Sequence, residues 1–430
     1  MNRFPIFRPQ WKTDGPMFKK AAILFIPALI TAVIADPLLT PEDAVSLALK
    51  NSYGILVARN DADIARVNNT LGNAGLLPTA AATGAATRSN ASSTTLSAGA
   101  ALSWTLFDGG KMFVTKARLS HIQALGEIQF RAQVLETQYD VTAAYYDVVR
   151  EKQQERSLNE VIAYNKERVK ILQAGFNAGS SLKSALLQAQ IDLNVYEENA
   201  LSQATSVRSA KRALNQLLAR EPETPFEVAD TIPLGYTPDR KALLRSLDSC
   251  NTSIQAFQQQ VEIARKVLSE NRALYWPKIT LSAGYSIQEK GNAAGTVRQG
   301  LSSGPQIGGN VTLPLFQAGN AARQVETAKF QLRSAEENLE GVRLKARSDL
   351  MDMMEEYESQ EAALAIELRN AALAKENLDI AMNRLRLGQS TSLELKLAED
   401  SYSDSQTRLV NFTYNLKITE TKLKQLVAGM

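Results

Sequence analysis

The sequence predicts a mainly α-helical protein with a small β part, built from a duplicated unit of helix, two strands, a very long helix and a further helix. Three observations predict it: a repeat about half the chain long, coiled-coil spacing of apolar residues, and short uncharged segments of alternating polarity. The chain has 430 residues, enough for one elongated protein made of two such units.

The repeat is visible as two sets of landmarks. The segment LFDGG at 106–110 recurs as LFQAG at 315–319, an offset of 209 residues. Upstream, the pair LP at 77–78 matches WP at 276–277, an offset of 199 residues. The second copy therefore carries ten extra residues between these landmarks, and we expect them in a longer exposed loop around 290–304.

The N-terminal region resembles an export signal. Lys19 and Lys20 precede an apolar run at 21–34, which is the pattern of a cleaved secretory signal peptide, predicted over 1–35. Pro27 interrupts the run, which is shorter than the roughly 20 residues of a spanning helix. Met17 is an alternative start of translation, so the true start, Met1 or Met17, stays open.

The repeat sets the expected organisation of the mature chain. A proline-rich linker at 221–240 joins a first repeat at 36–220 to a second at 241–430. The first repeat is expected to hold strands at about 79–90 and 94–107, a long helix at about 110–174 and a helix at about 182–219. The second is expected to hold strands at about 278–289 and 304–315, a long helix at about 319–387 and a helix at about 392–427.

The predicted helices carry coiled-coil seams. Apolar or small residues follow one another at alternating spacings of three and four from Tyr402 to Leu426, and the same positions recur 209 residues earlier. The long helix of the second copy shows this rhythm from Val325 to Val342 and resumes in shifted phase at Leu350, a stutter that locally unwinds a coiled coil. Each long helix is expected to form a rod of roughly 100 Å.

Three of the predicted strands contain stretches, 95–107, 279–288 and 306–315, that alternate between apolar and polar residues and contain no charge. Charges return at the hairpin tips, at Arg88, Glu289, Lys290 and Arg298. Uncharged alternation over about ten residues is the signature of a transmembrane β-strand. The residues predicted to face lipid are Leu96, Leu102, Trp104, Leu106, Ile279, Leu281, Tyr285, Ile287, Ile307, Val311, Leu313 and Leu315.

Four strands cannot enclose a lumen in lipid. An open edge would leave backbone N–H and C=O groups unpaired in hydrocarbon, at several kcal/mol each. Since single-chain barrels begin at about 8 strands, several chains must share one sheet, and three copies would give about 12 strands. The sequence thus predicts a trimeric transmembrane β-barrel that continues into a long α-helical coiled-coil barrel.

Composition excludes several other classes of function. Cys250 and His121 are the only residues of their kinds, so one chain can form neither a disulfide nor a Cys/His metal cluster. The sequence lacks a phosphate-binding loop, a nucleophile elbow and a histidine partner for a nucleophile, so we expect no enzyme activity and no cofactor. Lysines and arginines are interspersed with acidic residues, so no nucleic-acid surface is expected.

With these landmarks in order, the chain resembles the TolC family of outer-membrane efflux proteins over nearly all of its mature length. The resemblance implies a homotrimer in outer-membrane lipid with a long periplasmic extension, docked on a periplasmic adaptor (membrane fusion) protein that an inner-membrane pump of the RND, ABC or MFS type drives. It implies a passive exit duct of a tripartite efflux pump or a type I secretion system. The adaptor-facing tips would be Ala178, Gly179, Ser180, Leu387, Gly388 and Gln389.

The same resemblance suggests an acidic ring at the entrance. Family entrances often carry acidic residues six and nine positions after the second tip glycine, which here are Glu394 and Leu397. We expect Glu394 to form a single ring that favours cations, while the missing second carboxylate weakens the case for strong selectivity. An ordinary first-turn helix carboxylate explains Glu394 equally well.

Two other functions remain open on sequence grounds. A periplasmic adaptor also uses helical hairpins, but it would carry one hairpin flanked by compact β domains. A soluble coiled-coil scaffold would need no uncharged strands. The exported substrate and the pump class leave no trace in the sequence.

Overall fold

The computed structural model describes residues 38–89, 93–292 and 298–428. The predicted signal peptide at 1–35 lies outside the described residues. Within the described ranges, every helix is too short or too polar to cross a membrane.

The chain folds as two copies of one order of elements, which confirms the predicted duplication. The first copy contains α1 (Pro41–Asn51), α2 (Tyr53–Asn68), β1 (Thr79–Ser89), β2 (Ser93–Asp108), α3 (Lys111–Asn177) and α4 (Lys183–Leu217). The second contains α5 (Arg240–Cys250), α6 (Thr252–Arg272), a short 3-10 turn (Ala273–Tyr275), β3 (Lys278–Asn292), β4 (Arg298–Thr312), α7 (Asn320–Arg386) and α8 (Ser392–Leu426). The bounds of α7 and α8 are those of α3 and α4 shifted by 209 residues.

The helical segment before each strand pair is divided in two, where the sequence predicts one helix. α1 ends before Ser52, and α5 ends before Asn251. The side chain of Asn251 accepts a hydrogen bond from the backbone N–H of Ile254 at 3.1 Å and thereby caps the start of α6. Because the capping residue takes a non-helical backbone, one continuous helix is interrupted there.

The strand pair of the second copy is longer than predicted. β3 and β4 have 15 residues each, whereas β1 has 11. The predicted loop at 290–304 is therefore wrong for most of its length, and only 293–297 lies outside the described residues. Backbone pairing continues through Glu289↔Leu301 and, after a register shift, Gly291↔Arg298, so part of the added length extends β3. Another part lies in the longer joint between β4 and α7. β4 accordingly begins and ends earlier than the predicted 304–315.

The four strands form one antiparallel sheet in the order β1-β2-β3-β4. β1 and β4 each pair with one neighbour and form the two edges of the sheet. The cross-strand partners Trp104↔Leu281 and Ala283↔Ile307 place the apolar positions of β2, β3 and β4 on the same face. The alternation predicted for these three strands therefore produces one continuous apolar face on the sheet.

The long helices are held by packed seams and by two larger apolar cores. α3 and α7 have 67 residues each, about 100 Å at 1.5 Å per residue. The predicted seam on α8 is buried or half-buried along its length, from Tyr402 to Leu423. One core joins α1, α3 and α4 to the linker, and the other joins α5 and α6 to α7 and α8.

Candidate functional site

The first functional surface is the apolar face of the sheet. Ile307 is 82% exposed and Val311 is 67% exposed, so no other part of the described chain covers this face at β4. The other predicted lipid-facing residues that lie on this face by register are Leu96, Leu102, Trp104, Ile279, Leu281, Tyr285 and Ile287. A continuous exposed apolar face of this kind needs an apolar environment or a partner.

A β-bulge changes which residue near the end of β2 lies on the apolar face. Thr105 pairs with Thr280, but Phe107 pairs with Ile279, so Leu106 is the extra residue between them. Phe107, rather than Leu106, therefore lies opposite Ile279 on the apolar face. A prediction from strict two-residue alternation cannot detect an inserted residue. It therefore assigned Leu106 to the apolar face.

Leu313 and Leu315 lie beyond the end of β4, which stops at Thr312. Both side chains are exposed, at 51% and 89%. They belong to the joint between the sheet and α7, where Gly319 has a left-handed backbone with φ of 73° before the helix begins. Because β4 begins and ends earlier than predicted, these two leucines lie outside the strand.

The opposite face of the sheet carries small polar side chains. Thr79 lies opposite Ser103, Thr105 opposite Thr280, and Ser282 opposite Gly308. Arg88 is exposed near the end of β1, where a charge was predicted. The side chains of Lys290 and Arg298 lie outside the described residues.

The second functional surface is the pair of hairpin tips at the far end of the long helices. At the first tip Gly179 has φ of 78°, its N–H donates to Phe176 O at 3.0 Å, and the N–H of Ser180 donates to Gly175 O at 2.8 Å. This is the Schellman arrangement, which satisfies the last carbonyl groups of α3. The turn exposes Ala178, Gly179 and Ser180.

The second tip repeats this geometry. Gly388 has φ of 71°, its N–H donates to Leu385 O at 3.0 Å, and the N–H of Gln389 donates to Arg384 O at 2.8 Å. Leu387 is 71% exposed. The residues predicted as tips thus form two equivalent exposed turns.

Glu394 is exposed in the first turn of α8 and takes part in capping. The side chain of Thr391 accepts a hydrogen bond from the N–H of Glu394 at 3.2 Å, and Ser390 Oγ donates to the Glu394 carboxylate. The hydrogen bond from Ser390 lowers the pKa of Glu394 below its ordinary value, and a hydrogen bond from the Thr391 backbone and the charge of Arg384 act in the same direction. Glu394 is therefore a capping carboxylate that stays ionised and faces solvent.

A cluster of buried charges near the tips was missed by the sequence analysis. The Arg168 side chain on α3 is completely buried, with Asp192 of α4 at 2.5 Å and Glu399 of α8 at 2.7 Å. Asn165 and Arg168 continue the spacing of three and four that runs from Val161 to Leu172 on α3, and all four are buried. A charged residue at an inward seam position is the signal that would have identified it.

These surfaces agree with what similarity to known proteins shows. The sequence model described as "Outer membrane efflux protein" matches residues 44–220 and 243–429, one match to each copy of the repeat. The chain belongs to the outer membrane efflux protein family. Its members are outer-membrane channel proteins, and the TolC-family resemblance of the sequence is thereby confirmed.

Two curated relatives illustrate the range of this family. Outer membrane efflux protein BepC of Brucella suis is 23% identical over 342 residues, which span 78% of this chain and 73% of BepC. Alkaline protease secretion protein AprF of Pseudomonas aeruginosa is 22% identical over 316 residues, which span 70% of this chain and 63% of AprF. One relative is named for efflux and the other for protein secretion.

The fold agrees with solved structures of outer-membrane channels. The outer membrane protein VceC of Vibrio cholerae matches with a TM-score of 0.75 at 20% identity, covering 90% of this chain and 96% of VceC. This likeness confirms the predicted fold class, in which a duplicated unit contributes a few strands and long helices.

Proposed function

We propose that three copies of this outer membrane efflux protein form a passive exit duct, in which twelve strands close a barrel in the outer membrane and the helices continue as a tunnel through the periplasm. The observation that carries the proposal is the four-stranded sheet, which exposes an apolar face and has two open edges. Pairing β4 of one copy with β1 of the next closes such a sheet without unpaired edges.

The tunnel would deliver its cargo from a periplasmic adaptor and an inner-membrane pump of the RND, ABC or MFS type. The exposed turns at Ala178–Ser180 and Leu387–Gln389 would meet the adaptor. The duct itself supplies no chemistry, since it only provides a water-filled path whose barrier is the constricted entrance. Adaptor contact opens it only by binding the open arrangement more tightly than the closed one.

Family membership also bears on the two alternatives. The match to an efflux-channel family across both copies disfavours a periplasmic adaptor and a coiled-coil scaffold. The duplicated pair of hairpins and the single shared sheet disfavour them on structural grounds as well. BepC and AprF support an efflux and a secretion role for the duct, respectively.

Adjacent residues on opposite faces of β4 test the barrel. Ile307 lies on the apolar face and Gln306 on the polar face, and both are exposed. Ile307→Lys would place a charge in lipid, at a cost of roughly 2–4 kcal/mol per copy near the midplane. Gln306→Lys would place the same charge in the lumen.

We expect wild type and Gln306→Lys to appear in the outer-membrane fraction as a heat-labile trimer. Ile307→Lys should lose that band. Equal tolerance of both lysines, or a wild-type protein that is a monomer without affinity for detergent, would overturn the proposal.

The proposed duct also gives Glu394 a second role. Three symmetry-related copies of this exposed, ionised carboxylate would form one acidic ring at the entrance and favour cations. Single-channel reversal potentials in a salt gradient measure this preference. Glu394→Gln should shift the reversal potential toward zero, and an unchanged potential would leave Glu394 with its capping role alone.

A further inference from the structure

We infer that Lys111 and Lys278 form an oxyanion-binding site at the base of the barrel, and that three copies of this site make a basic ring where the barrel meets the helical tunnel. Its ligands are the carboxylate or phosphate groups of solutes in the lumen. The inference rests on the proposed duct function, because only a shared lumen arranges three copies of the site around one path.

The site is a cavity of about 660 Å³ at the joint between β2 and α3. Thr105, Lys278 and Thr312 line this cavity, and all three lie on the polar face of the sheet by register. Lys111 lines it from the first turn of α3. In the proposed barrel the polar face surrounds the lumen, so the cavity opens toward the path of the cargo.

Two of the charged side chains in the cavity are left without a partner. Arg118 Nε lies 2.7 Å from Glu270 Oε1, so these two charges compensate each other. Asp108 Oδ1 accepts a hydrogen bond from a backbone N–H in the first turn of α3 at 3.1 Å. Lys111 and Lys278 are exposed, and their side chains form no ion pair or hydrogen bond with the residues that the structure describes. The cavity therefore has one net positive charge and two ammonium groups free to donate to an oxyanion.

The second copy shows that a joint of this kind needs no such charges. Gly319 precedes α7 with the same left-handed backbone that Gly110 has before α3. The counterparts of Asp108, Lys111, Arg118, Glu270 and Lys278 in the other copy are, in that order, Gln317, Asn320, Thr327, Leu71 and Thr79. An uncharged joint thus forms with the same backbone, and the basic site occurs once per chain.

The wall of the barrel carries no charge that competes with these lysines. The polar-face positions are uncharged from Thr79 to Thr87 on β1 and from Thr95 to Thr105 on β2. They are also uncharged from Thr280 to Gln288 on β3 and from Ser302 to Thr312 on β4. Rings of charged side chains set the ion preference of a pore. The base of the barrel should therefore favour anions, opposite in sign to Glu394 at the entrance.

Trp276 provides a local readout of the site. Its side chain lines the cavity and is 61% exposed. The chain has two further tryptophans, Trp104 and Trp11, and Trp11 lies in the predicted signal peptide. In a mature Trp104→Phe protein, Trp276 is then the sole tryptophan, and its fluorescence reports which ions reach the cavity.

The first measurement compares quenching of Trp276 by iodide and by caesium ions in the detergent-solubilised mature trimer, at constant ionic strength. Normalised to free N-acetyltryptophanamide, iodide should quench about threefold more efficiently than caesium, because the lysines attract anions and repel cations. Inorganic pyrophosphate should compete with iodide and reduce its quenching. Equal quenching by the two ions would overturn the site, and this result needs no lysine variant to fold.

The lysine variants assign the effect to its residues. Lys111→Gln and Lys278→Gln should each lower the preference for iodide, and the double variant should lose both the preference and the protection by pyrophosphate. Arg272→Gln is the matched control, because Arg272 is exposed at the end of α6 and lies outside the lining of the cavity. It should keep the preference of the parent protein. A double variant that also keeps it would refute the assignment.

Conductance in planar bilayers separates the site from the duct. In a salt gradient, the double lysine variant should shift the reversal potential toward cations, opposite in direction to the shift from Glu394→Gln. Absence of any conductance from the wild-type trimer would overturn the duct function, while Trp276 quenching would still report on the site. A conducting channel in which the lysine substitutions change neither the reversal potential nor the quenching would overturn the site alone.

Discussion

The two copies of the repeat share one backbone but not one set of contacts. Ala318 and Ala428 have left-handed φ values of 49° and 50°, and their counterparts 209 residues earlier, Gly109 and Ala219, have 73° and 53°. The two copies therefore share the same backbone conformation even at strained turns. The two copies can share a strained turn because it belongs to their common backbone path. Each side chain, by contrast, is constrained by the residues that it contacts in its own copy.

The buried charge cluster of Arg168, Asp192 and Glu399 shows the opposite behaviour. The counterpart of Arg168 in the second copy is Asn377, and the counterpart of Glu399 in the first copy is Gln190. The cluster thus occurs once per chain, where the two hairpins meet. The comparison indicates that the two copies kept the same long helices, while the side-chain contacts between their hairpins diverged.

Replacing Arg168 gives the largest expected difference between the copies. Arg168→Met would leave Asp192 and Glu399 near each other without their shared cation. Removing one partner of a buried pair costs about 3–5 kcal/mol. Thermal unfolding in detergent, followed by helical circular dichroism, measures the loss.

The control for this substitution is Asn377→Met at the equivalent exposed position of α7. Such a surface change is expected to stay within about 0.5 kcal/mol. A similar loss from both variants would show that the buried cluster contributes no special stability.

The glycine at the first sheet-to-helix joint gives the next largest difference. A Cβ atom at Gly109 would lie 2.7 Å from Ala273 O and 2.6 Å from Trp276 Cβ, in addition to the left-handed φ. Gly109→Ala should destabilise the protein by about 2–4 kcal/mol, from backbone strain and overpacking together. Chemical denaturation of the detergent-solubilised protein measures this change.

At the equivalent joint of the second copy the opposite substitution is informative. Ala318 already has the left-handed backbone, so Ala318→Gly should relieve strain and raise stability by up to about 1 kcal/mol. If Gly109→Ala were as harmless as Ala318→Gly, the packing of Trp276 against the first joint would be unimportant.

Two tyrosines anchor the connecting segments and differ in the number of their hydrogen bonds. Tyr145 Oη donates to Leu39 O at 2.9 Å and accepts from Ala229 N at 3.0 Å. Tyr357 Oη donates to Tyr236 O at 2.6 Å. Tyr145→Phe leaves two backbone groups without this partner and should cost about 1–3 kcal/mol, while Tyr357→Phe should cost about 1 kcal/mol.

Denaturant midpoints of the two phenylalanine variants, compared at one protein concentration, check this order. Hydrogen exchange at the Ala229 amide provides a local readout, because only Tyr145→Phe removes its acceptor. Equal midpoints together with unchanged exchange at Ala229 would contradict the assignment.

The hairpin tips give the smallest expected difference. Thr391 caps α8 with its side chain, whereas its counterpart Leu182 provides no such cap for α4. Thr391→Ala should lower stability by about 1 kcal/mol. Leu182→Ser should instead add a cap and raise stability by a similar or smaller amount. Melting temperatures of the two variants should move in opposite directions, and a shift in the same direction would refute the capping difference.

The sequence predicted the helices and the repeat because their signals are periodic and local. Gly110 and Gly319 mark the starts of α3 and α7, and the seams fix the buried faces of the long helices. The apolar face of the sheet was also predictable where alternation is strict. These features depend on neighbours only a few residues apart.

The errors in the sheet and the missed charge cluster arose where long-range contacts decide the structure. The bulge at Leu106 and the extension of β3 to Asn292 depend on the partner strand, and neither leaves a mark in the periodicity. The contact between Arg168 and Glu399 joins residues 231 positions apart. Only packing of the two hairpins shows that this arginine at a seam position meets acids from both sides.

The open edges of the sheet have a consequence for biogenesis. A newly exported copy carries strands β1 and β4 that can each accept a further strand, and any compatible chain competes for them. In the proposed trimer, a copy with a damaged edge would enter assemblies with intact copies and spoil each one that it joins. In a cell that makes both normal and edge-damaged chains, the defect would therefore be dominant. The fraction of inactive trimers would exceed the fraction of damaged chains.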